Sequence, residues 1–292
     1  MTIKHLVISG GGPIGLRFLG VLEKLNIEQY WDPKNTESIY CTSIGSLIAT
    51  FICLKFDWST LRKYIIERPW QDVFTIDADQ ILNSYHSKGL FDRKFFEIIL
   101  RPLLKAKQLH MNITLEEFYQ FSSIDLHIFT FDLNQFQIVE LTRQTHPQLE
   151  LMQALAMSCA LPGLFMPVIL DNQCFIDGGV MCNYPINQCL RDHPDETEII
   201  GIKMVYQTPN GSQNISINNT STLLDFIVGF AINSMNYIRD SVQMSAIANT
   251  IYCYTDINPL QFEYIQQAIT DQDLRRKWIE EGERDVLEMK IH

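Results

Sequence analysis

Hydrophobic positions along the chain switch back and forth between short β-branched runs and longer stretches with helical spacing. Residues 3–9 form an apolar run of strand length and Gly10-Gly11-Gly12-Pro13-Ile14-Gly15 breaks it. Residues 16–25 then place Leu16, Leu19, Leu22 and Leu25 on one helical face. A second short strand at 38–41 runs into a tight turn at Thr42-Ser43-Ile44-Gly45, and an apolar helix over 44–56 follows at once. Further helices are predicted over 59–68, capped by Asp57 or Ser59 and stopped before Pro69, and over 92–106, opened by Asp92 and kinked or ended by Pro102. Thr114 and Glu117 form a capping box for a helix over 115–121.

The alternation continues in the second half. Strands over 125–132 and 136–142 make a hairpin through Leu133-Asn134-Gln135, and a helix follows over 148–160. A second hairpin, Phe165 to Leu170 and Gln173 to Ile176, turns at Asp171-Asn172. It delivers Asp177-Gly178-Gly179, a carboxylate at the mouth of a strand followed by glycines that let the backbone turn sharply, and Asn183-Tyr184-Pro185 fixes the exit. A helix over 186–192, a strand over 197–206, a polar loop over 207–220, a long helix over 221–249, a strand over 250–255 and helices over 260–269 and 271–289 complete the chain. Strands alternating with helices predict an α/β sandwich, and no repeat or low-complexity linker divides residues 1–292 into more than one domain.

Composition narrows the partners. With 292 residues, 46% hydrophobic and 20% charged, the chain can bury a sizeable core. Its formal net charge of −11 argues against nucleic-acid binding and against electrostatic capture by an anionic membrane, so any lipid contact is expected to be hydrophobic. The longest apolar runs, 47–54 and 223–232, fall well short of the roughly 20 residues of a spanning helix. The first residues enter a strand directly, without a signal-peptide pattern. Seven cysteines, an odd number without C-x-x-C spacing, speak against a disulfide framework or a zinc site and are read as reduced thiols in a cytoplasmic protein.

The chemistry concentrates at three places. A serine at a strand-to-helix corner has its hydroxyl pushed out of the sheet beside helix N-terminal N–H groups, which makes Ser43 the candidate nucleophile. The glycine loop at 10–15 presents backbone N–H groups at a helix N-terminus and suits either a phosphate or the oxyanion of acyl transfer. Gly10, Gly12 and Gly15 also satisfy G-x-G-x-x-G, but in a dinucleotide fold the acidic partner ends the second strand, and Asp32 precedes it. Asp177 is the third piece, a candidate base. His127 alternates with apolar neighbours and reads as an outward or satisfied core histidine. His193 follows Ser43 and Asp177 in hydrolase order but lies in a charged Arg-Asp-His-Pro-Asp-Glu loop and is not assigned to a triad.

Taken in order, four blocks resemble the patatin-like phospholipase family. They are Ser9-Gly10-Gly11-Gly12 with Gly15 and Gly20; Thr42-Ser43-Ile44-Gly45; Ser158-Cys159-Ala160-Leu161-Pro162 with Phe165 and Pro167; and Asp177-Gly178-Gly179 with Asn183 and Pro185. The resemblance implies a three-layer α/β/α sandwich around a central, mostly parallel sheet. It implies a lipid acyl hydrolase of phospholipase A or lysophospholipase type, with a Ser43–Asp177 dyad and an acyl-serine intermediate. Gly10, Gly11 and Gly12 would form the oxyanion hole, Gly15, Gly45, Gly178 and Gly179 would support it, and no cofactor or metal is called for. A carboxylate base has an ordinary pKa near 4, so it must work by close placement in a partly dehydrated site. Three positions depart from the family pattern: Cys41 for the first glycine of the elbow, Ile14 where the loop commonly carries Arg or Lys, and Pro13, which has no N–H. Arg17 could replace the missing cation. The implied partner is a lipid met at a membrane or micelle surface, for a cytoplasmic protein peripheral to membranes. The rival readings are a catalytically inactive lipid-binding or regulatory protein on the same fold and, more remotely, a dinucleotide-binding oxidoreductase.

Overall fold

Strands buried on both faces need helices on both sides, and the pleat decides which residues face which layer. The computed structural model describes residues 2–74, 84, 86–206, 217–219, 221, 226, 229–230, 233–234, 237, 245–256 and 262–289. Its strands are β1 (His5–Ile8), β2 (Ser38–Thr42), β3 (Asp125–Asp132), β4 (Gln137–Leu141), β5 (Val168–Leu170), β6 (Gln173–Asp177), β7 (Ile199–Tyr206) and β8 (Thr250–Thr255). They form one mixed sheet in the order β5-β6-β3-β2-β1-β7-β8, with β4 also on β3. From β3 through β2, β1 and β7 to β8 every pairing is parallel, whereas β4, β6 and β5 join antiparallel.

The helices are α1 (Arg17–Ile27), α2 (Ile44–Cys53), α3 (Trp58–Glu67), α4 (Lys94–Ala106), α5 (Leu115–Ser122), α6 (Leu151–Ser158), α7 (Ile186–Asp192), α8 (Phe262–Thr270) and α9 (Gln272–Met289). Leu6, Ile8, Ile39, Cys41, Leu126 and Ile128 share the main core with residues of α1, α2, α6 and α9. Their alternates Val7, Tyr40 and Phe129 pack instead with Ile186 and Cys189 of α7. The result is the three-layer sandwich that the sequence blocks imply.

Buried ionic contacts fasten the C-terminal helix to this frame. Asp285 of α9 accepts from Arg17 Nε and Nη2, each at 2.5 Å. Arg275, 3% exposed, donates to the carbonyls of Ala268 and Ile269 and to that of Ile66, satisfying the ends of α8 and α3 that helix geometry leaves without partners.

Several predicted bounds shift for local reasons. The helix predicted over 44–56 ends at Cys53, because Lys55 turns at φ +52°. Pro102 sits inside α4 and does not end it. The strand predicted from Phe165 begins at Val168, since Phe165 is taken by a bridge to Phe91. Asp57 is the cap of α3, accepting from Thr60 N at 2.8 Å, and the Thr114–Glu117 capping box forms in full. The long helix predicted over 221–249 lies mostly outside the described residues; Phe226, Phe230 and Tyr237 are helical, but 245–249 are not. The polar loop predicted over 207–220 also lies outside them, apart from 217–219.

Candidate active site

Two strands meet end to end along β3 and create the site. β2 runs parallel to β3 and ends with Thr42 opposite Phe129; β6 runs antiparallel and ends with Asp177 opposite Thr130. β4 spans 128–132 on the other edge of β3, so β2 and β6 share one edge and their carboxyl ends abut. Thr130 Oγ1 pins the junction by donating to the carbonyls of Ile176 (2.8 Å) and Met157 (3.0 Å).

Ser43 stands at this junction with φ +54° and ψ −131°, directly before α2. A positive φ of this kind costs a residue with a Cβ on the order of 1–3 kcal/mol, and the surroundings hold it there. Its N–H donates to Ser158 Oγ (2.9 Å), which in turn donates to Phe129 O (2.7 Å). Its carbonyl accepts from Ser46 N (2.8 Å) and Ser46 Oγ (2.6 Å). Gly45 allows the corner to close: a Cβ there would come 2.6 Å from Ile8 O. Gly178 is as tightly placed, with Phe129 O 2.3 Å from where its Cβ would be, and Gly15 lies beneath Ile44.

With its backbone fixed, Ser43 directs Oγ at Asp177, donating to Oδ2 at 2.6 Å. Asp177 Oδ1 accepts from Gly179 N at 2.7 Å, so both carboxylate oxygens are oriented. Asp177 is 4% exposed, and among the described residues no Lys, Arg or His is paired with it. Burial pushes its pKa up from 3.8 to about 6, against the lowering effect of its hydrogen bonds from Ser43 and Gly179.

The glycine loop divides its roles. Gly10 N–H already donates to Asn183 O at 3.0 Å, so Gly10 is corrected from oxyanion donor to spacer: a Cβ there would come 2.4 Å from Asn183 Oδ1 and 3.2 Å from the Ser43 Cβ. Among the described residues the N–H groups of Gly11 and Gly12 have no protein acceptor. Gly12, at φ +55°, opens a 3-10 turn over Gly12–Leu16 that runs into α1, and Pro13 occupies a first-turn position where a missing N–H costs nothing.

Other sequence candidates fall elsewhere. Arg17 does not face the loop; Asp285 and the Tyr254 carbonyl engage its guanidinium. Ile14, 1% exposed, is a core residue. Cys41, which stands where the elbow commonly has its first glycine, is fully buried on the main-core face, and burial pushes its thiol pKa well up. His193 stacks on His5 at the opposite end of β1, ring centroids 3.6 Å apart. Asp32 caps a 3-10 turn over Pro33–Asn35 ahead of β2. His127 stacks on Tyr40 and pairs with Glu140 (2.6 Å); with Asp192 it forms a group whose ligand atoms lie within 4.8 Å, and Arg191 bridges the two carboxylates. Ser158 and Asn183 lie in the recognised blocks, but nothing in their spacing discloses that one fixes the Ser43 backbone and the other packs against Gly10 and Gly179.

A hydroxyl on a carboxylate, with N–H groups at a helix start that have no protein acceptor among the described residues, is an arrangement fit for acyl transfer. Comparisons with known proteins point the same way. Residues 6–190 match the family model described as patatin-like phospholipase. The chain is similar to uncharacterized protein R571 of Acanthamoeba polyphaga mimivirus, 28% identical over 272 residues that cover 89% of this chain and 86% of the relative. It is also similar to the probable lipid hydrolase 463L of Invertebrate iridescent virus 6, 25% identical over 214 residues covering 70% and 71%. Among solved structures, VipD from Legionella pneumophila superposes with a TM-score of 0.56 at 16% identity, covering 99% of this chain and 67% of that one, a likeness of fold. With the family model spanning well over half of its residues, the chain belongs to the patatin-like phospholipase family.

Proposed function

We propose that the protein is a lipid acyl hydrolase that cleaves fatty-acyl esters of phospholipids or lysophospholipids with Ser43 as nucleophile and Asp177 as base. The observation that carries this reading is the 2.6 Å hydrogen bond from Ser43 Oγ to a buried carboxylate that no cation pairs with among the described residues. Asp177 takes the Ser43 proton as Oγ attacks the ester carbonyl, and the N–H groups of Gly11 and Gly12 receive the oxyanion. Collapse breaks the carbonyl–alkoxy bond, and the leaving alcohol takes the proton from Asp177. Water then gives a proton to Asp177 and attacks the acyl-serine, releasing the fatty acid and restoring the Ser43 hydroxyl. A carboxylate pushed to about 6 is a stronger base than an exposed one and is still ionised at neutral pH.

Apolar side chains stand next to this chemistry. The segment that leaves Ala160, whose carbonyl accepts from Asp177 N, carries the half-buried Leu161 and Phe165, and Phe165 packs against Phe91, Phe95 and Phe96. This supports an acyl chain as the group to be accommodated. In α2, Ile44 is the one part-exposed residue, and the rest of that helix is buried.

The test is hydrolysis of a short-chain p-nitrophenyl ester and of a fluorogenic phospholipid, with chelator present, by wild type, Ser43→Ala and Asp177→Asn. Loss of both activities in both variants is expected. Turnover surviving in Ser43→Ala would overturn the mechanism, and an inert wild type that still binds lipid and escapes fluorophosphonate labelling would favour the non-catalytic reading.

A further inference from the structure

Exposed apolar side chains gather at the carboxyl end of the sheet, on the face that α7 covers lower down. The pleat puts Phe129 and Phe131 of β3 on that face, with Leu133 next in the same alternation. Opposite Phe131 stand Ile138 of β4 and Ile176 of β6, and opposite Cys174 stands Ile169 of β5. Phe131, Ile176 and Val180 form a small cluster of their own, with the part-buried Cys174 and Met181 against it. Leu133 is 47% exposed, Phe136 65%, Ile138 40% and Ile169 63%. The Phe136 ring stands edge-on against Phe131 at 5.1 Å, and Asn134 Nδ2 donates to Asn172 O at 2.8 Å, tying the two hairpin tips into one surface.

Charge identifies what this surface can meet. Residues 133–138 and 168–173 carry one charged side chain, Asp171, in a chain of net charge −11; their other polar groups are the neutral amides of Asn134, Gln135, Gln137, Asn172 and Gln173. Apolar tips with an uncharged amide rim suit the ester and headgroup region of a neutral bilayer, and the negative charge elsewhere disfavours an anionic one. Position agrees: Leu133 lies three residues, roughly 10 Å of strand, beyond the Thr130 that pairs with Asp177, and Ser43 opens at the same end of the sheet.

We infer that this face seats the protein on a bilayer of zwitterionic lipid, with Leu133, Phe136, Ile138 and Ile169 inserted among the lipids beside the candidate site. The inference rests on the lipid-ester reading for the substrate and adds the surface that delivers it. Binding is read on full-length Ser43→Ala protein, so no lipid is consumed, by sedimentation with phosphatidylcholine vesicles. The added pair Phe136→Ser and Ile169→Asn is expected to weaken partitioning about tenfold or more, and so is the independent pair Leu133→Gln and Ile138→Thr. With Ser43 intact, either pair should leave hydrolysis of a monomeric p-nitrophenyl ester unchanged and lower hydrolysis of vesicle phospholipid by a similar factor. Because sedimentation does not depend on turnover, an ester-inert wild type would overturn the proposed function and leave this result readable. Unchanged sedimentation of both folded pairs would overturn the inference, as would unchanged sedimentation with a shift from dimer to monomer on gel filtration, which would assign the face to a second copy.

Discussion

Asp132 and Asp177 lie on one face of the same antiparallel ladder, Asp132 opposite Phe175 and Asp177 opposite Thr130. Both are buried and neither is paired with a cation among the described residues. Asp132 collects donors: Asn134 N (3.0 Å) and Cys174 N (3.2 Å) on one oxygen, Gln173 Nε2 (2.7 Å) on the other. Burial raises its pKa, but these donors outweigh burial and hold it below the ordinary carboxylate value. Among the described residues Asp177 receives only the Ser43 hydroxyl and the Gly179 N–H, and burial wins. Two carboxylates closed to solvent in the same two strands thus become a hairpin fastener beside the turns in one case and a deeply embedded, proton-seeking group in the other. What separates them is the number of donors together with the depth of the surrounding protein, which is thin over Asp132 and complete around Asp177.

The largest expected effect tests that division. Asp177→Asn keeps the size and two polar atoms of the side chain but cannot take a proton, so turnover should fall by about 10³-fold or more, within the range for loss of a general base. In wild type, kcat/KM should rise with pH through about 6 and level off above it if Asp177 is the base proposed above, which acts only when ionised. A profile flat between pH 5 and 8 would remove Asp177 from the role of base.

The same substitution should strengthen the fold. The folded pKa of Asp177, about 6, lies above the 3.8 of an unperturbed carboxylate, so the folded chain holds this proton more tightly than the unfolded one. Its contribution to stability is whole below pH 4 and is lost as pH rises through about 6, an amount on the order of 3 kcal/mol. Asp177→Asn should therefore be more stable than wild type by up to about that much at pH 7.5, and the advantage should vanish near pH 4. Denaturant midpoints at the two pH values measure it.

Asp132→Ala should do the reverse. It leaves the Gln173 side chain and two backbone N–H groups without their acceptor, which should cost about 2–3 kcal/mol of stability. Turnover per folded molecule should stay within a few-fold of wild type. If Asp132→Ala instead lost activity as Asp177→Asn does while remaining folded, the separation into fastener and base would fail.

How much of this the sequence disclosed follows from how local each signal is. The Ser43 corner, the glycine loop and the Asp177-Gly178-Gly179 exit are local punctuations of strand and helix, readable from single stretches, and their order carried the family likeness. The strand-to-helix alternation likewise gave the sandwich. What stayed hidden is set by contacts across long separations. That Gly10 spends its N–H on Asn183, or that Arg17 turns from the loop to Asp285, depends on which strands become neighbours and where α9 docks. The collision of β2 with β6 along one edge of β3 is of the same kind: each strand is visible by itself, but their shared edge is a property of register.

Ser158 is where that hidden register should be felt most gently. Its hydroxyl touches neither the reacting atoms nor Asp177; it accepts from Ser43 N and donates to Phe129 O, holding the positive-φ corner against β3. Ser158→Ala leaves one N–H and one carbonyl without that bridge. The Ser43 backbone should then sample conformations in which Oγ no longer points at Asp177. A loss of about tenfold in kcat is expected, equivalent to about 1.4 kcal/mol, with KM little changed. Asp177 keeps its burial and its Gly179 donor and loses the Ser43 bond only part of the time, so the pH midpoint should stay near 6 or move slightly upward, and Ser158→Thr, which restores the hydroxyl, should recover most of the rate. A merely structural role would lower stability without separating kcat from KM and without this rescue, whereas an unchanged kcat in folded Ser158→Ala would mean that Ser46 and α2 hold the corner unaided.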